Sequence, residues 1–482
     1  MEIIGLIGIV ISLVLFMVLV YKGWHSYWTA MICAVIVALT NGVFWNNEKG
    51  FLGGLEVFAN TFAQGMIDLF ATMFWVVILG AILGKLYEDS GMAYSIFKFL
   101  NIFVDKAAKV SDKRAVRTAY LWLFIMGGLL TLGGIDPYVA LFIMVPICAL
   151  ICQKLDIPRR LIPGMTCLFT CFIICPGAPS IYNIMGVAGT MTVTGEVVAH
   201  GNMAGLVTAT SGLIAGIIGV LIIGAAAHFY MVSATMKAKA NGEHFEWGTM
   251  RPVEMNDRPH PHVIVSLLPL IAVFVLYALV GTHISFALAV GIILTIVFGV
   301  KFLPTTDRFN VNISLSRGKA LLQSMNTGAA SGPNALLTVI VPAALAAVIT
   351  ATPAFGMVVG MLSNLHIPPV VLAAVIVMIL VAITSSPPAA LMIALPMVMG
   401  MLMGQTHGTL EGVNVAGIMR VAILAAATFE TLPFNGMVIL NMDLAHTTHK
   451  EAYKPVGMIS VLFTLVAAIV GVALYLIIPG LV

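Results

Sequence analysis

The sequence predicts an all-α polytopic membrane protein built as two inverted repeats, each with five transmembrane helices and one re-entrant hairpin, and with helices broken at mid-membrane. Three observations carry this. The 482 residues are 60% hydrophobic and 9% charged, where a soluble chain carries about a quarter charged residues, so no soluble globule can be given a polar surface. Four polar, helix-breaking stretches interrupt apolar segments: Thr131-Leu-Gly-Gly-Ile-Asp-Pro137, Cys175-Pro-Gly-Ala-Pro-Ser180, Thr384-Ser-Ser-Pro-Pro388 and Thr428-Phe-Glu-Thr-Leu-Pro433. They start at 131 and 175, then at 384 and 428, so each pair is spaced by 44 residues and the pairs are offset by 253. Finally, with the N-terminus outside, Lys49 and Arg420 are the only two of the 23 Lys and Arg residues on the outer half, a strong positive-inside bias.

The elements follow in order. Spans run over about 3–21, 27–44 and 67–86. The run Ile3 to Tyr21 has no basic residue before it and no small-residue cleavage site after it, so it reads as a retained span. Lys98, Lys106, Lys109, Lys113, Arg114 and Arg117 mark a cytoplasmic stretch. The 36 residues between Arg117 and Lys154 are too few for two spans of about 20 apolar residues plus a turn. A hairpin over about 118–153, turning at Gly133-Gly134, fits instead. A broken helix over about 161–190 crosses outward and 203–228 returns, completing a first repeat over 1–228. A cytoplasmic linker over 229–262 carries Lys237, Lys239, Arg251 and Arg258. The second repeat, 263–482, has spans at about 263–281, 285–302 and 333–351, a hairpin at about 367–404, a broken helix at about 413–441 and a last span at 456–479. Five crossings is an odd number, so the second repeat is inverted and both termini lie outside. The stretch Ser324–Asn334 is too polar for a clean span start.

In a bilayer, broken helix backbone is tolerated only where protein or a water-filled cavity satisfies it, and matched interruptions in two halves of a chain point to a transporter binding site. Half-helices starting at a break aim free N–H groups and a positive dipole end at an anionic group. Pro176, Pro179, Pro387, Pro388 and Pro433 start or end helices there, and Gly133, Gly134 and Gly177 permit close backbone approach. Thr131, Ser180, Asn183, Thr384, Ser385, Ser386, Thr431 and Asn435 add side-chain groups. The bland alternative is a set of proline kinks with packing serines, disfavoured by the repeat register. Asp136 and Glu430 are acids at membrane depth, the default mark of an ion or proton path; the alternative is a permanently ionised helix cap. Arg420 is expected to snorkel outward or neutralise a neighbouring acid, with pairing to a substrate carboxylate as the alternative.

Other features read as structural. Cys167, Cys171 and Cys175 recur every four residues on what would be one helix face, as small packing residues. His446 and His449 lie about one helical turn apart beside Glu451 but lack a third metal ligand, which favours a solvated turn. The methionines at 392, 397, 399, 401 and 403 read as adaptable packing. No HExxH, Walker A or Gly-x-Ser-x-Gly pattern occurs, so neither an enzyme nor a nucleotide-driven pump is expected, and no cofactor, metal or nucleic-acid partner is implied.

Several stretches resemble the gluconate permease (GntP) family of the ion transporter superfamily, closest to its hydroxybutyrate and short-chain carboxylate branch. They are Leu83-Gly-Lys-Leu-Tyr-Glu-Asp-Ser-Gly91, Leu132-Gly-Gly-Ile135, Asp156-Ile-Pro-Arg-Arg-Leu-Ile-Pro163, Pro176-Gly-Ala-Pro-Ser-Ile-Tyr-Asn183, Asn326-Thr327, Ile383-Thr-Ser-Ser386, Thr431-Leu-Pro-Phe-Asn-Gly436 and Thr448-His-Lys-Glu-Ala-Tyr-Lys454. The resemblance implies proton-coupled uptake of organic acid anions across a bacterial inner membrane, by a scaffold and a moving transport domain, often in a homodimer. It places the ligand against 132–135, 176–183, 384–386 and 431–435. The chain departs from the family at Asp136-Pro137, where an uncharged small polar pair is expected. It departs again at Phe434, in place of a histidine, and after Asn326-Thr327, where an acid is missing. These changes favour a short, partly apolar acid over a polyol such as gluconate. The expectation is therefore a proton-coupled symporter of a small carboxylate, with a sodium-coupled carrier, an anion exchanger or a passive anion channel as alternatives.

Overall fold

The computed structural model describes residues 2–45, 50–132, 137–178, 180–193, 196–197, 207–250, 259–276, 280, 282–305, 314–363, 367–405 and 413–479. Among these the regular elements are helices, apart from one two-residue antiparallel pair, Thr192–Val193 with Glu196–Val197. The first half runs α1 (Glu2–Tyr21), α2 (Ser26–Thr40), α3 (Gly50–Asp89), α4 (Met92–Ala108), α5 (Asp112–Leu132), α6 (Pro137–Leu155) and α7 (Ile162–Thr166). A 3₁₀ segment (Cys167–Ile174), α8 (Ile181–Met191) and α9 (Leu213–Ala240) complete it. The second half runs α10 (Val263–Phe274), α11 (Ile284–Gly299), α12 (Arg317–Thr350), α13 (Pro353–Ser363), α14 (Pro369–Thr384) and α15 (Pro387–Gln405). It ends with α16 (Val415–Ala426), α17 (Gly436–Leu444), α18 (His449–Gly457) and α19 (Thr464–Ile477), the last two joined by a π-turn.

The order in each half is two helices, one very long helix, a short helix, a hairpin, a broken helix and a last span. The packing repeats with it. α2 packs on α12 as α11 packs on α3, α1 on α13 as α10 on α4, and α5 on the 3₁₀ segment as α14 on α16. The most extensive contact is α3 against α12, the two equivalent long helices, so the pseudo-two-fold relation passes between them. A bilayer explains the outer surface. On α1, Ile3, Ile4, Ile7, Val10, Ile11, Val14 and Val18 are all exposed, at the three-and-four spacing of one helix face. Such a stripe needs lipid or protein to cover it. Four described helices are long and apolar enough to span: 3–21, 213–240, 284–302 and 449–477.

Two elements differ from their sequence expectation. The span expected over 67–86 is the end of a 40-residue helix, which at 1.5 Å per residue is about 60 Å long, twice the hydrocarbon thickness of about 30 Å. The polar 324–334 stretch, which broke the expected span 333–351, is helical inside the 34-residue α12. Its small residues face α3: a Cβ on Gly328 would stand 2.8 Å from Ile82 Cα, and one on Gly332 would stand 2.4 Å from Ile78 Cδ1. Low hydropathy there is the signature of a close helix crossing. The expected one-face cysteine stripe is also corrected, because Cys167–Ile174 is 3₁₀ rather than α-helical; three residues per turn throw a four-residue repeat off a single face.

Candidate functional site

The first break lies between the 3₁₀ segment and α8. Gly177 adopts a left-handed φ of 78°, and its N–H donates to the Ala209 carbonyl at 2.8 Å. Pro176 packs where a Cβ on Gly216 would stand, 2.3 Å from its Cγ. The Ser180 hydroxyl donates to the Ile173 carbonyl at 2.6 Å. Asn183, fully buried, donates to the carbonyls of Cys175 and Ala178, both at 2.9 Å. The broken backbone is thus satisfied by its own polar side chains, as helix ends inside a membrane must be.

Arg420 completes that break, which overturns the expectation that it snorkels or pairs with an acid. It is 0% exposed. Its Nε donates to the Ser211 carbonyl at 2.8 Å, its Nη2 to the Ala209 carbonyl at 2.7 Å, and its Nη1 to Asn183 Oδ1 at 2.7 Å and the Ile174 carbonyl at 3.4 Å. α16 points it inward, and the freed carbonyls of the break and of the 207–212 turn supply acceptors that lipid headgroups would otherwise have supplied. A charged residue inside an apolar run was the available signal; its direction was not readable.

The second hairpin and second break meet directly. Ser385 sits left-handed, φ 54°, between α14 and α15. Asn435 Nδ2 donates to its hydroxyl at 3.0 Å and to its carbonyl at 3.3 Å. Asn435 Oδ1 accepts the N–H groups of Met437 and Val438, capping α17. Thr384 is buried and donates to the Leu380 carbonyl, while Ser386 Oγ accepts the Ala389 N–H. Phe434, at the position where the family resemblance leads one to expect a histidine, is buried against Phe16, ring centroids 5.6 Å apart.

The two breaks, with Ser460 of the π-turn and Thr464 at the start of α19, line a small cavity of about 20 Å³, room for about one water. Tyr182, Glu430 and Thr431 line it with the apolar Ile173, Ile174 and Met437. The Tyr182 hydroxyl donates to Glu430 Oε2 across the two breaks. Thr431 Oγ1 is buried with no protein partner, while its carbonyl accepts from Tyr453 at 2.9 Å. Tyr182 was not singled out from the sequence, and neither was Asn441. The latter is buried on α17 and donates to Thr166 Oγ1 at 2.8 Å and the Pro163 carbonyl at 3.2 Å, tying the two broken helices together a second time. Thr131 is buried and donates to the Gly127 carbonyl. Gly133, Gly134, Asp136 and Pro179 lie outside the described residues. His449 is buried rather than part of a solvated turn.

No family model matches the chain. It is 27% identical, over 98% of each chain, to the uncharacterized transporter YxjC of Bacillus subtilis (strain 168). The likeness supports a transporter role in a membrane. Among solved structures it is similar to the YdaH transporter of Alcanivorax borkumensis, described as having an unusual topology, at 15% identity and a TM-score of 0.43 over 95% of this chain and 98% of that one.

Proposed function

We propose that the chain is a secondary carrier of a small organic carboxylate, coupled to protons through Glu430 and working by alternating access in an elevator-like movement. The observation that carries this reading is the Tyr182–Glu430 bond spanning the two breaks at a shared cavity. An acid at that depth is costly and marks an ion path. Behind the cavity wall, Ile174 both lines the cavity and accepts from Arg420. Among the described residues that guanidinium meets neutral oxygens, so its charge favours an anion nearby.

The apolar wall of Ile173, Ile174 and Met437 suits a short, partly apolar acid. A cavity of about 20 Å³ cannot hold even a four-carbon acid, so the breaks must part to load it. The hairpins and broken helices form one candidate moving body against α1–α3 and α10–α12, and the bacterial inner membrane is the setting the resemblance suggests.

The test is uptake of labelled 3-hydroxybutyrate into proteoliposomes in sodium-free buffer, with and without an inward proton gradient. Accumulation that collapses with a protonophore supports the reading. Uptake that appears only with sodium or an internal counter-anion replaces proton coupling with the sodium-coupled or exchange alternative. Equilibration without accumulation under any gradient means a passive anion channel.

A further inference from the structure

We propose that Arg420 is a tethered cation: its guanidinium occupies a cation site formed between the first break and the 207–212 turn, so that this site binds no free ion and ion coupling is left to the second break. The proposal deepens the carrier reading and rests on it for its transport consequence. Four neutral oxygens converge on the guanidinium, from Ile174, Asn183, Ala209 and Ser211. Carbonyl oxygens of non-helical backbone and side-chain amide oxygens are the kind of donors with which transporters hold Na⁺ at mid-membrane, and here they come from the end of the 3₁₀ segment, the 207–212 turn and Asn183. Here four of the five N–H donors of one arginine take those oxygens instead.

The surrounding chain is shaped to admit this side chain. Gly212 has φ 66°, and a Cβ there would stand 2.3 Å from Arg420 Cβ. A Cβ on Gly216 would stand 3.2 Å from Arg420 Cδ. The groove runs along the 207–212 turn and α9, and it holds the stem while the head reaches the break. Asn183 is the pivot. Its Nδ2 satisfies the carbonyls of the break and its Oδ1 faces the guanidinium at 2.7 Å, so the amide orientation is dictated by a cation on one side. The repeat shows that the device is not general to the fold. The position 253 residues before Arg420 is Cys167, which carries no charge and sits buried in the 3₁₀ segment. A guanidinium is more weakly hydrated than an ammonium and tolerates such burial.

The test compares wild type with Arg420→Ala and Arg420→Lys, purified in detergent, by thermal unfolding in choline, sodium, potassium and guanidinium chlorides at equal millimolar concentration. No substrate is present, so this outcome is independent of the carrier reading. R420A should lose about 5 °C or more in choline and recover most of it, saturably, in guanidinium, with sodium or potassium less effective. Wild type and R420K should be unmoved by the same salts. Folded R420A with no saturable cation response overturns the proposal. So does R420A that aggregates with and without guanidinium while R420K folds. Recovery of monodisperse R420A only when guanidinium is present throughout purification supports it. In proteoliposomes, R420A uptake should become dependent on the added cation while wild-type uptake is not. Thermal rescue without uptake by any variant, wild type included, would leave the tethered cation standing and remove the carrier reading.

Discussion

The two breaks occupy equivalent places in the repeat and are held in different ways. At 175–180 the freed backbone is closed from within by Asn183 and Ser180 and from outside by Arg420, and every one of these contacts ends on a neutral oxygen. At 428–435 the backbone is tied to the tip of the second hairpin through Asn435 and Ser385. There a carboxyl and an unpartnered hydroxyl, Glu430 and Thr431, face the cavity. The first break spends its polar groups largely on its own backbone; the second spends them on other elements, Glu430 with Tyr182 and Asn435 with Ser385, and leaves the Thr431 hydroxyl without a partner. An unsatisfied buried hydroxyl costs about 1–3 kcal/mol, a cost that a bound group could offset. Within one repeated motif, the first break is closed on neutral oxygens, while the second brings the acid and hydroxyl on which the proposed carrier reading rests.

The largest expected effect comes from removing the charge at the second break. Glu430→Gln keeps the shape and a donor–acceptor pair but cannot release a proton. With one proton per substrate, a gradient of one pH unit is worth about tenfold accumulation. E430Q should accumulate nothing above equilibrium while still exchanging labelled for unlabelled acid. Gradient-driven accumulation equal to wild type would place coupling elsewhere, with Asp136 the next candidate; Asp136→Asn is the matching variant.

A smaller effect is expected where the second break meets the hairpin. Asn435→Ala removes the cap of α17 and both bonds to Ser385. Losing a cap costs about 1 kcal/mol, and orphaning the Ser385 groups adds a similar amount. The substrate concentration for half-maximal uptake should rise by up to about thirtyfold, since about 1.4 kcal/mol is a factor of ten, with a modest fall in thermal stability. An unchanged half-saturation with a large stability loss would make Asn435 a purely structural cap. Tyr182→Phe, which deletes one charge-directed bond, should cost less than E430Q and leave proton-driven accumulation intact.

The part of this arrangement that can be read from sequence is the part written in periodicity and punctuation. Proline and glycine breaks offset by 253 residues point to broken helices and hairpins, and the described residues show the chain leaving the helix at 175–180, 385–386 and 427–435, because those residues act locally through φ and a missing N–H. Long-range choices are not local. Arg420 looks like an interfacial cation because its neighbours are apolar, and only the fold brings four carbonyl and amide oxygens to it from residues 174–211. Tyr182 falls within the 176–183 stretch, but its partner Glu430, 248 residues away, is visible only in the fold. The long α12 hides behind polar, small residues whose value appears only once α3 is laid against them.

The smallest expected effect asks whether the firmness of the first break depends on Arg420 alone or also on a polar latch before α7. Below that break, Asp156 accepts the Phe245 N–H at 2.8 Å and meets His244 at 2.6 Å, while Arg160 forms a bidentate pair with Glu243 at 2.6 and 2.7 Å. The Phe245 N–H and His244 hold the Asp156 carboxyl below its usual range, and Arg160 does the same for Glu243. A depressed carboxyl contributes its stability above the unfolded value and loses it as pH falls through the folded one. The latch should therefore hold unchanged through neutral and mildly acidic pH and release only in strong acid. Asp156 and His244 are exposed, so Asp156→Asn should cost roughly 0–1 kcal/mol, visible as faster proteolysis within 241–250 and a barely moved unfolding temperature. A loss as large as that of R420A would shift the anchor of the first break from the buried guanidinium to the surface latch, and the contrast between the two breaks would then rest on that latch rather than on Arg420.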